Sequence, residues 1–157
     1  MKDIKIYNMK KLILKLTYVT ALFAFMQSCD DVERVYYNDA AETVLSLSDN
    51  NLILSEDNGA NEILTLTWSD PDYGFDAAAL YSVQMDVQGG DFSNPQIISV
   101  GSSLEKTFTV EELNAKLLSL SMTPAEEGVA VIRIKATLSE YQEIFSNTVN
   151  LNVTPYS

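Results

Sequence analysis

The segment Ile63-Leu64-Thr65-Leu66-Thr67-Trp68 alternates apolar and hydroxyl side chains. Its two leucines and its tryptophan fall on one face of an extended chain, and its threonines fall on the other, because successive side chains of a strand point to opposite faces. The pattern predicts a half-buried β-strand. Since Trp68 shares a face with Leu64 and Leu66, we predict that it is a core residue and not a platform for sugar stacking.

The same alternation returns in residues 81–87, where Tyr81, Val83 and Met85 oppose polar neighbours. A glycine-containing turn follows at 88–91. Polar turns also separate five or six other short segments that predict strands, at 44–47, 52–54, 97–100, 106–110, 129–138 and 149–153. About seven short strands on a chain of this length favour an all-β, two-sheet sandwich of the immunoglobulin or fibronectin III-like class.

One stretch has helical rather than strand periodicity. Thr109-Val110-Glu111-Glu112 matches a capping box, in which Thr109 accepts a hydrogen bond from the Glu112 amide and the Glu112 side chain reaches back. Leucines follow at helical spacing, and Pro124 stops the segment. The sequence therefore predicts one short helix between strands, over about 110–119.

The N-terminal segment is basic and then apolar, and it ends at Cys29, the only cysteine in the chain. The apolar run at 16–26 is shorter than the roughly 20 residues that a spanning helix needs, which indicates a signal peptide. A thiol at the membrane surface can be acylated, and several acyl chains would anchor a soluble domain. We predict a lipoprotein signal at 1–28, a lipidated tether at 29–42 and one sandwich domain at 43–157. A secretory signal followed by a free cysteine is the alternative.

Composition excludes several classes of chemistry. The chain has no histidine and a net charge of −12, which becomes more negative when the lysine-rich signal is removed. Without histidine, and with Cys29 consumed by lipid, the usual nucleophilic triads and zinc, copper or haem sites are excluded. A pair of carboxylates of the glycosidase type remains possible, but no local signature singles one out. We therefore predict no enzymatic activity, no cofactor and no nucleic-acid partner, because the acidic field repels phosphates.

Two aromatic side chains are the best candidates for a contact with glycan. Tyr73 and Phe75 lie in a turn with Pro71 and Gly74, where loop aromatics either bind ligands or cap the end of a sandwich. Tyr141 and Phe145, which border a loop between the last two strands, leave the same choice open. Three aspartates of the first turn could collect Ca²⁺, but their spacing is not that of an EF-hand, and solvated carboxylates are the better interpretation: Asp70, Asp72 and Asp76.

Two resemblances rest on these residues. Leu64 to Asp76, followed by Tyr81 to Asp86, resembles the second and third strands of fibronectin type III-like sandwiches, with Leu-x-Trp-x-x-Pro before Tyr-x-Val. The stretch from about 42 to 156 resembles, more narrowly, the N-terminal domain of SusE-type outer-membrane lipoproteins. The matching segments are the loop from Trp68 to Phe75, Glu112-Leu113-Asn114, Arg133-Ile134-Lys135-Ala136, and Ser146-Asn147 to Thr154-Pro155-Tyr156.

The SusE resemblance implies a lipid-anchored outer-membrane protein, exposed at the cell surface, in a starch-utilisation-type system. The acidic residues after Cys29 resemble the signal for export to the cell exterior in glycan-harvesting Gram-negative bacteria, whereas in enterobacteria an aspartate at that place resembles a signal for inner-membrane retention. Partners of such lipoproteins are a SusC-like TonB-dependent transporter and a SusD-like protein, and the shared task is capture of oligosaccharides. Two roles stay open, a glycan-binding domain and a rigid spacer. An adhesion or protein-interaction module unrelated to glycans is the alternative.

Overall fold

The computed structural model describes residues 43–73, 78–140 and 142–157. Nine strands and one α-helix lie in these ranges. They are β1 (Leu45–Leu47), β2 (Asn51–Ile53), β3 (Glu62–Trp68), β4 (Leu80–Val87), β5 (Gln96–Gly101), β6 (Glu105–Thr109), α1 (Val110–Ser119), β7 (Gly128–Ser139), β8 (Gln142–Phe145) and β9 (Val149–Thr154). A single 3-10 turn at Glu56–Asn58 precedes β3. No helix in the described ranges is long and apolar enough to cross a membrane.

The strands form two sheets. Sheet A contains β1, β3 and β6 in that order, and both of its pairings are antiparallel. Sheet B has the order β2-β9-β7-β4-β5, and β8 pairs with the far half of β7 beside β9. The β2–β9 pairing is parallel, and the others in sheet B are antiparallel. The predicted all-β sandwich is confirmed.

The core lies between the two sheets, and it is built by the predicted alternation. Leu64, Leu66 and Trp68 of β3 are all buried, and so are alternate residues in the middle of β4 and of β7. The side chains of β7 that face the core are wholly buried: Ala130, Ile132, Ile134 and Ala136. Each large aliphatic side chain removed from water contributes about 1.5–3 kcal/mol, so the two isoleucines of this layer stabilise the sandwich.

Helix α1 begins and ends where the sequence predicts. Thr109 Oγ1 accepts from the Glu112 amide at 3.2 Å, and the Glu112 carboxylate accepts from the Thr109 amide at 3.4 Å, which completes the capping box. Leu113 and Leu117 are fully buried on the inner side of the helix. The helix contacts β3, β6 and the 3-10 turn, so it covers one end of sheet A.

The structure shows two features of the strand order that the sequence prediction did not include. β1 and β2 belong to different sheets, since β1 joins sheet A and β2 joins sheet B. Phe145, predicted to border a loop, lies in the additional strand β8. β8 and β9 run along β7 as one strand with a break, where Ser146 Oγ accepts the Ile134 amide hydrogen at 2.8 Å.

Side-chain amides join separate parts of the sandwich by imitating the backbone. Asn147, in the break before β9, accepts from the Leu45 amide at 2.8 Å and donates to the Leu45 carbonyl at 3.2 Å, so it connects the break to sheet A. Asn114 of α1 accepts from the Tyr156 amide at 2.9 Å and donates to the Tyr156 carbonyl at 3.1 Å. Each amide satisfies one backbone donor and one backbone acceptor that have no partner in a sheet or helix.

Candidate functional site

The loop after β3 contributes aromatic side chains to the interior. Trp68 is 5% exposed, and its ring centroid lies 5.8 Å from that of Tyr81 on β4, with the ring planes tilted by 55°. This geometry is common for buried aromatic pairs. The prediction that Trp68 is a core residue is confirmed.

Tyr81 is fixed by a carboxylate from the same loop. Its hydroxyl donates to Asp70 Oδ1, so Asp70 has a structural partner in this turn. Burial raises the pKa of Tyr81 above its ordinary value, and the hydrogen bond to Asp70 and the charge of that carboxylate act in the same direction. The Tyr81 phenol is therefore neutral at physiological pH and serves as a hydrogen-bond donor.

Of the residues predicted to bind glycan or lipid, the structure describes Tyr73 but not Phe75 or Cys29. Tyr73 is 2% exposed, so its ring faces the interior and does not offer a face to a pyranose. Burial of this aromatic ring at the end of the sandwich matches the capping alternative and counts against a stacking role. Phe75, Asp76, Tyr141 and Cys29 lie outside the described residues. Among the residues that are described, no group of three or more cysteine, aspartate or glutamate side chains could hold a metal ion.

The outer face of sheet B carries a cluster that the sequence did not predict. The guanidinium carbon of Arg133 on β7 lies 4.0 Å from the ring centroid of Phe92 and 4.1 Å from that of Phe145. Arg133 Nε donates to Gln84 Oε1 of the neighbouring strand β4 at 2.8 Å. Together with Asp86, described below, these side chains form what we name the Arg133 cluster: Gln84, Asp86, Phe92, Arg133 and Phe145.

A buried carboxylate organises the turn that covers this cluster. Asp86 is 9% exposed, and its two oxygens accept from the Val87 and Phe92 amides, each at 2.8 Å. Phe92 has φ of 58°, in the left-handed region that a bulky residue seldom adopts. A Cβ at Gly90 would overlap the Asp86 carboxylate, so only glycine lets the turn close there. The strained backbone of Phe92 thus holds its ring against Arg133.

The electrostatics of Arg133 follow from these contacts. Partial burial lowers the pKa of Arg133, and the nearby negative charge of Asp86 opposes that shift. An arginine remains charged at neutral pH under either influence. Among the described residues no acceptor lies within hydrogen-bond distance of its terminal Nη atoms, so this cation has its donors free while its plane is fixed by two aromatic rings.

Two of the open depressions on the described surface bear on function. One, of about 280 Å³, adjoins the Arg133 cluster on the outer face of sheet B and is lined by Leu80, Tyr81, Ser82, Ser99, Gly101 and Thr137. A larger one, of about 800 Å³, lies between the β1–β2 turn and β9. Its lining includes Asp49 and Asn50, whose side-chain oxygens already accept hydrogen bonds from Asn51.

Sequence signals for the Arg133 cluster were weak. Gln84 and Asp86 occupy the polar side of the alternation in β4, which predicts exposure, yet both are buried. Gly89-Gly90 predicted a turn, but the glycines gave no sign that the turn would fold back onto the sheet. Gln84 and Arg133 are 49 residues apart, and only the pairing of β4 with β7 brings them together.

Comparison with known proteins identifies the family. Among solved structures, the crystal structure of the periplasmic chaperone SfaE is similar at 17% identity and a TM-score of 0.34, over 72% of this chain and 57% of that one. The chain thus spans 57% of the length of that solved relative. No curated protein matches. The model of the SusE outer membrane protein family matches residues 30–135, more than half of the chain. This protein therefore belongs to the SusE outer membrane protein family.

Proposed function

We propose that this protein is a lipid-anchored, non-catalytic module of a Sus-type glycan-capture and uptake system at the cell surface. In this proposal the thiol of Cys29 carries the lipid, residues 29–42 form the tether, and the sandwich holds other components near a SusC-like transporter and a SusD-like protein. Membership of the SusE outer membrane protein family supports the assignment to a Sus-type system and to the outer membrane. The absence of histidine from the chain supports a role without catalysis.

One observation favours the spacer role over glycan binding by the loop after β3. Tyr73, in the described part of this loop, and Trp68, the last residue of β3 before it, are packed in the core. A ring that stabilises the interior cannot also stack on a sugar. The loop then serves rigidity, with Asp70 fixing Tyr81 from the same side.

Two experiments test the proposal. Membrane fractionation of cells expressing wild-type protein or Cys29→Ser should move the variant out of the membrane fraction, and equal partitioning would refute the anchor. Protein cross-linked on intact cells should co-purify with a SusC-like transporter or a SusD-like protein. Recovery of neither partner would favour the adhesion alternative.

Glycan binding by the loop is tested separately. Affinity electrophoresis of the wild type and of Phe75→Ala on soluble glycans should show equal migration if the loop is structural. Retardation of the wild type that disappears in Phe75→Ala would restore the loop as a glycan site.

A further inference from the structure

Arg133 is prepared for a ligand on the outer face of sheet B. Its guanidinium lies against Phe92 and Phe145, and its Nε is held by Gln84. These contacts fix the plane of the guanidinium and leave its Nη donors without a described acceptor. A guanidinium presents paired N–H groups in a rigid fork that matches the two oxygens of a carboxylate. A carboxylate is therefore the complementary ligand.

The surroundings of Arg133 suit a sugar ring that carries this carboxylate. Phe145 is 38% exposed, and Ile97, which pairs with Gln84 from β5, is 59% exposed. Apolar side chains beside a hydrogen-bonding group match a pyranose, which has C–H faces and polar edges. The 280 Å³ depression, with its serine and threonine hydroxyls, begins at Ser82, about 7 Å along β4 from Gln84, within reach of a further sugar unit.

We propose that the Arg133 cluster binds an oligosaccharide through the carboxylate of a hexuronic acid unit. This inference rests on the proposed function in a glycan-capture system, and it adds the chemical class of glycan. The carboxylate accepts hydrogen bonds from both Nη groups of Arg133, and the sugar ring lies against Phe145. Gln84 and Asp86 do not contact the sugar. They position Arg133 and the Phe92 turn.

The negative charge of the whole chain does not prevent this recognition. Four cations lie in the described residues, and two of them, Arg133 and Lys135, are neighbours on the outward side of β7. Lys135 forms an ion pair with Glu143 of β8. The nearby Asp86 carboxylate also acts on Arg133, but its two oxygens accept from the Val87 and Phe92 amides, which partly neutralise its charge. Repulsion from carboxylates farther away is screened beyond about 8 Å at physiological salt, whereas a direct guanidinium–carboxylate contact is screened much less. The local contact therefore decides binding.

The test compares ligands that differ in one group. Isothermal titration of the full-length protein, purified in detergent, should show binding of trigalacturonate and weaker or no binding of maltotriose, which lacks carboxylates. A triglutamate peptide supplies carboxylates without sugar and should bind at least tenfold more weakly than trigalacturonate. Equal binding of maltotriose would overturn carboxylate recognition, equal binding of triglutamate would overturn sugar recognition, and no binding of trigalacturonate would overturn the inference altogether.

Variants locate the site. Arg133→Gln should weaken trigalacturonate binding about tenfold or more, because hydrogen bonds between charged groups are lost. Arg133→Lys keeps the charge and most of the stem but not the fork, so it should weaken binding as well. Lys116→Gln removes one positive charge from helix α1 and should bind like the wild type. Unchanged binding in both Arg133 variants, with Trp68 fluorescence showing that they are folded, would refute the site.

Failure of this inference is distinguishable from failure of the proposed function. Loss of membrane attachment in Cys29→Ser and recovery of a SusC-like or SusD-like partner do not depend on any sugar. If those results hold while trigalacturonate does not bind, the uptake role stands and the uronate site is refuted.

Discussion

The clearest prediction concerns Asn114, whose side chain connects helix α1 to the segment after β9. It is 4% exposed and makes two hydrogen bonds with the backbone of Tyr156. A net hydrogen bond contributes about 1 kcal/mol, and Tyr156 is exposed enough for water to replace part of what is lost. Asn114→Ala should therefore lower the free energy of unfolding by about 2 kcal/mol.

Asn114→Asp makes a sharper test because it keeps the shape of the side chain while it replaces the NH2 donor by an oxygen and adds a negative charge. The acceptor for the Tyr156 amide is kept, but a buried carboxylate now faces the Tyr156 carbonyl, which should cost about 3 kcal/mol at pH 7. This environment raises the pKa of the new carboxyl above that of the unfolded chain, so its protonated form stabilises the fold. The deficit relative to wild type should therefore shrink as the pH falls towards 4.

Both variants can be measured by urea unfolding followed by Trp68, the only tryptophan in the chain. Asn94 provides the matched control, because it is exposed and lies outside the helix. Asn94→Ala and Asn94→Asp should change stability by less than about 0.5 kcal/mol. Hydrogen exchange at the Tyr156 amide should accelerate only in Asn114→Ala. A stability loss at Asn114 no larger than at Asn94, or a deficit in Asn114→Asp that grows as the pH falls, would refute the reasoning.

Three further predictions use the same unfolding assay. Gly90→Ala should lower the free energy of unfolding by about 1–3 kcal/mol because the new methyl group meets the Asp86 carboxylate. The control Gly59→Ala, at a helical φ of −47°, should be neutral or slightly stabilising. Equal effects of the two substitutions would contradict the close contact. Thr109→Ala should cost about 1 kcal/mol through loss of the helix cap, and no loss would show that the capping box is not needed. Because the pKa of Tyr81 is raised in the folded protein, its contribution to the free energy of unfolding is fully present below about pH 10 and is lost as the pH rises above that value. Tyr81→Phe should therefore show a smaller loss of stability at alkaline pH than the wild type. Identical losses would refute this role of Tyr81.

Local patterns were sufficient for most of the secondary structure. β3, β4 and β7 follow from their period of two, and the bounds of α1 follow from the capping box and the leucine spacing, because both signals lie within a few residues of the chain. β8 was missed since its four residues, two polar and then two apolar, do not alternate in the way that predicts a strand. The separation of β1 from β2 was open because sheet membership depends on partners far along the chain.

The candidate site was less predictable than the fold for the same reason. A Gln, Asp or Arg on the polar side of a strand is expected to be exposed to solvent unless another segment covers it. Here the turn at 88–91 brings Phe92 over the sheet. The pattern around Tyr73 left both glycan contact and capping of the sandwich end open, and the structure packs its ring inward. In both cases the burial of a side chain was set by loops, whose paths a short-range pattern does not determine.

The alternation of β7 keeps stability and recognition on separate side chains. Ile132 and Ile134 are fully buried, and Arg133 between them faces outward while all three share the same backbone ladder. An outer face of ordinary solvated polar side chains would need no such backbone strain. Instead the chain holds Phe92 at a positive φ and partly desolvates a cation that donates one side-chain hydrogen bond among the described residues. Since changes at Arg133 leave the ladder and the core intact, loss of ligand binding there can be measured on a folded sandwich, which separates a recognition role from a structural one.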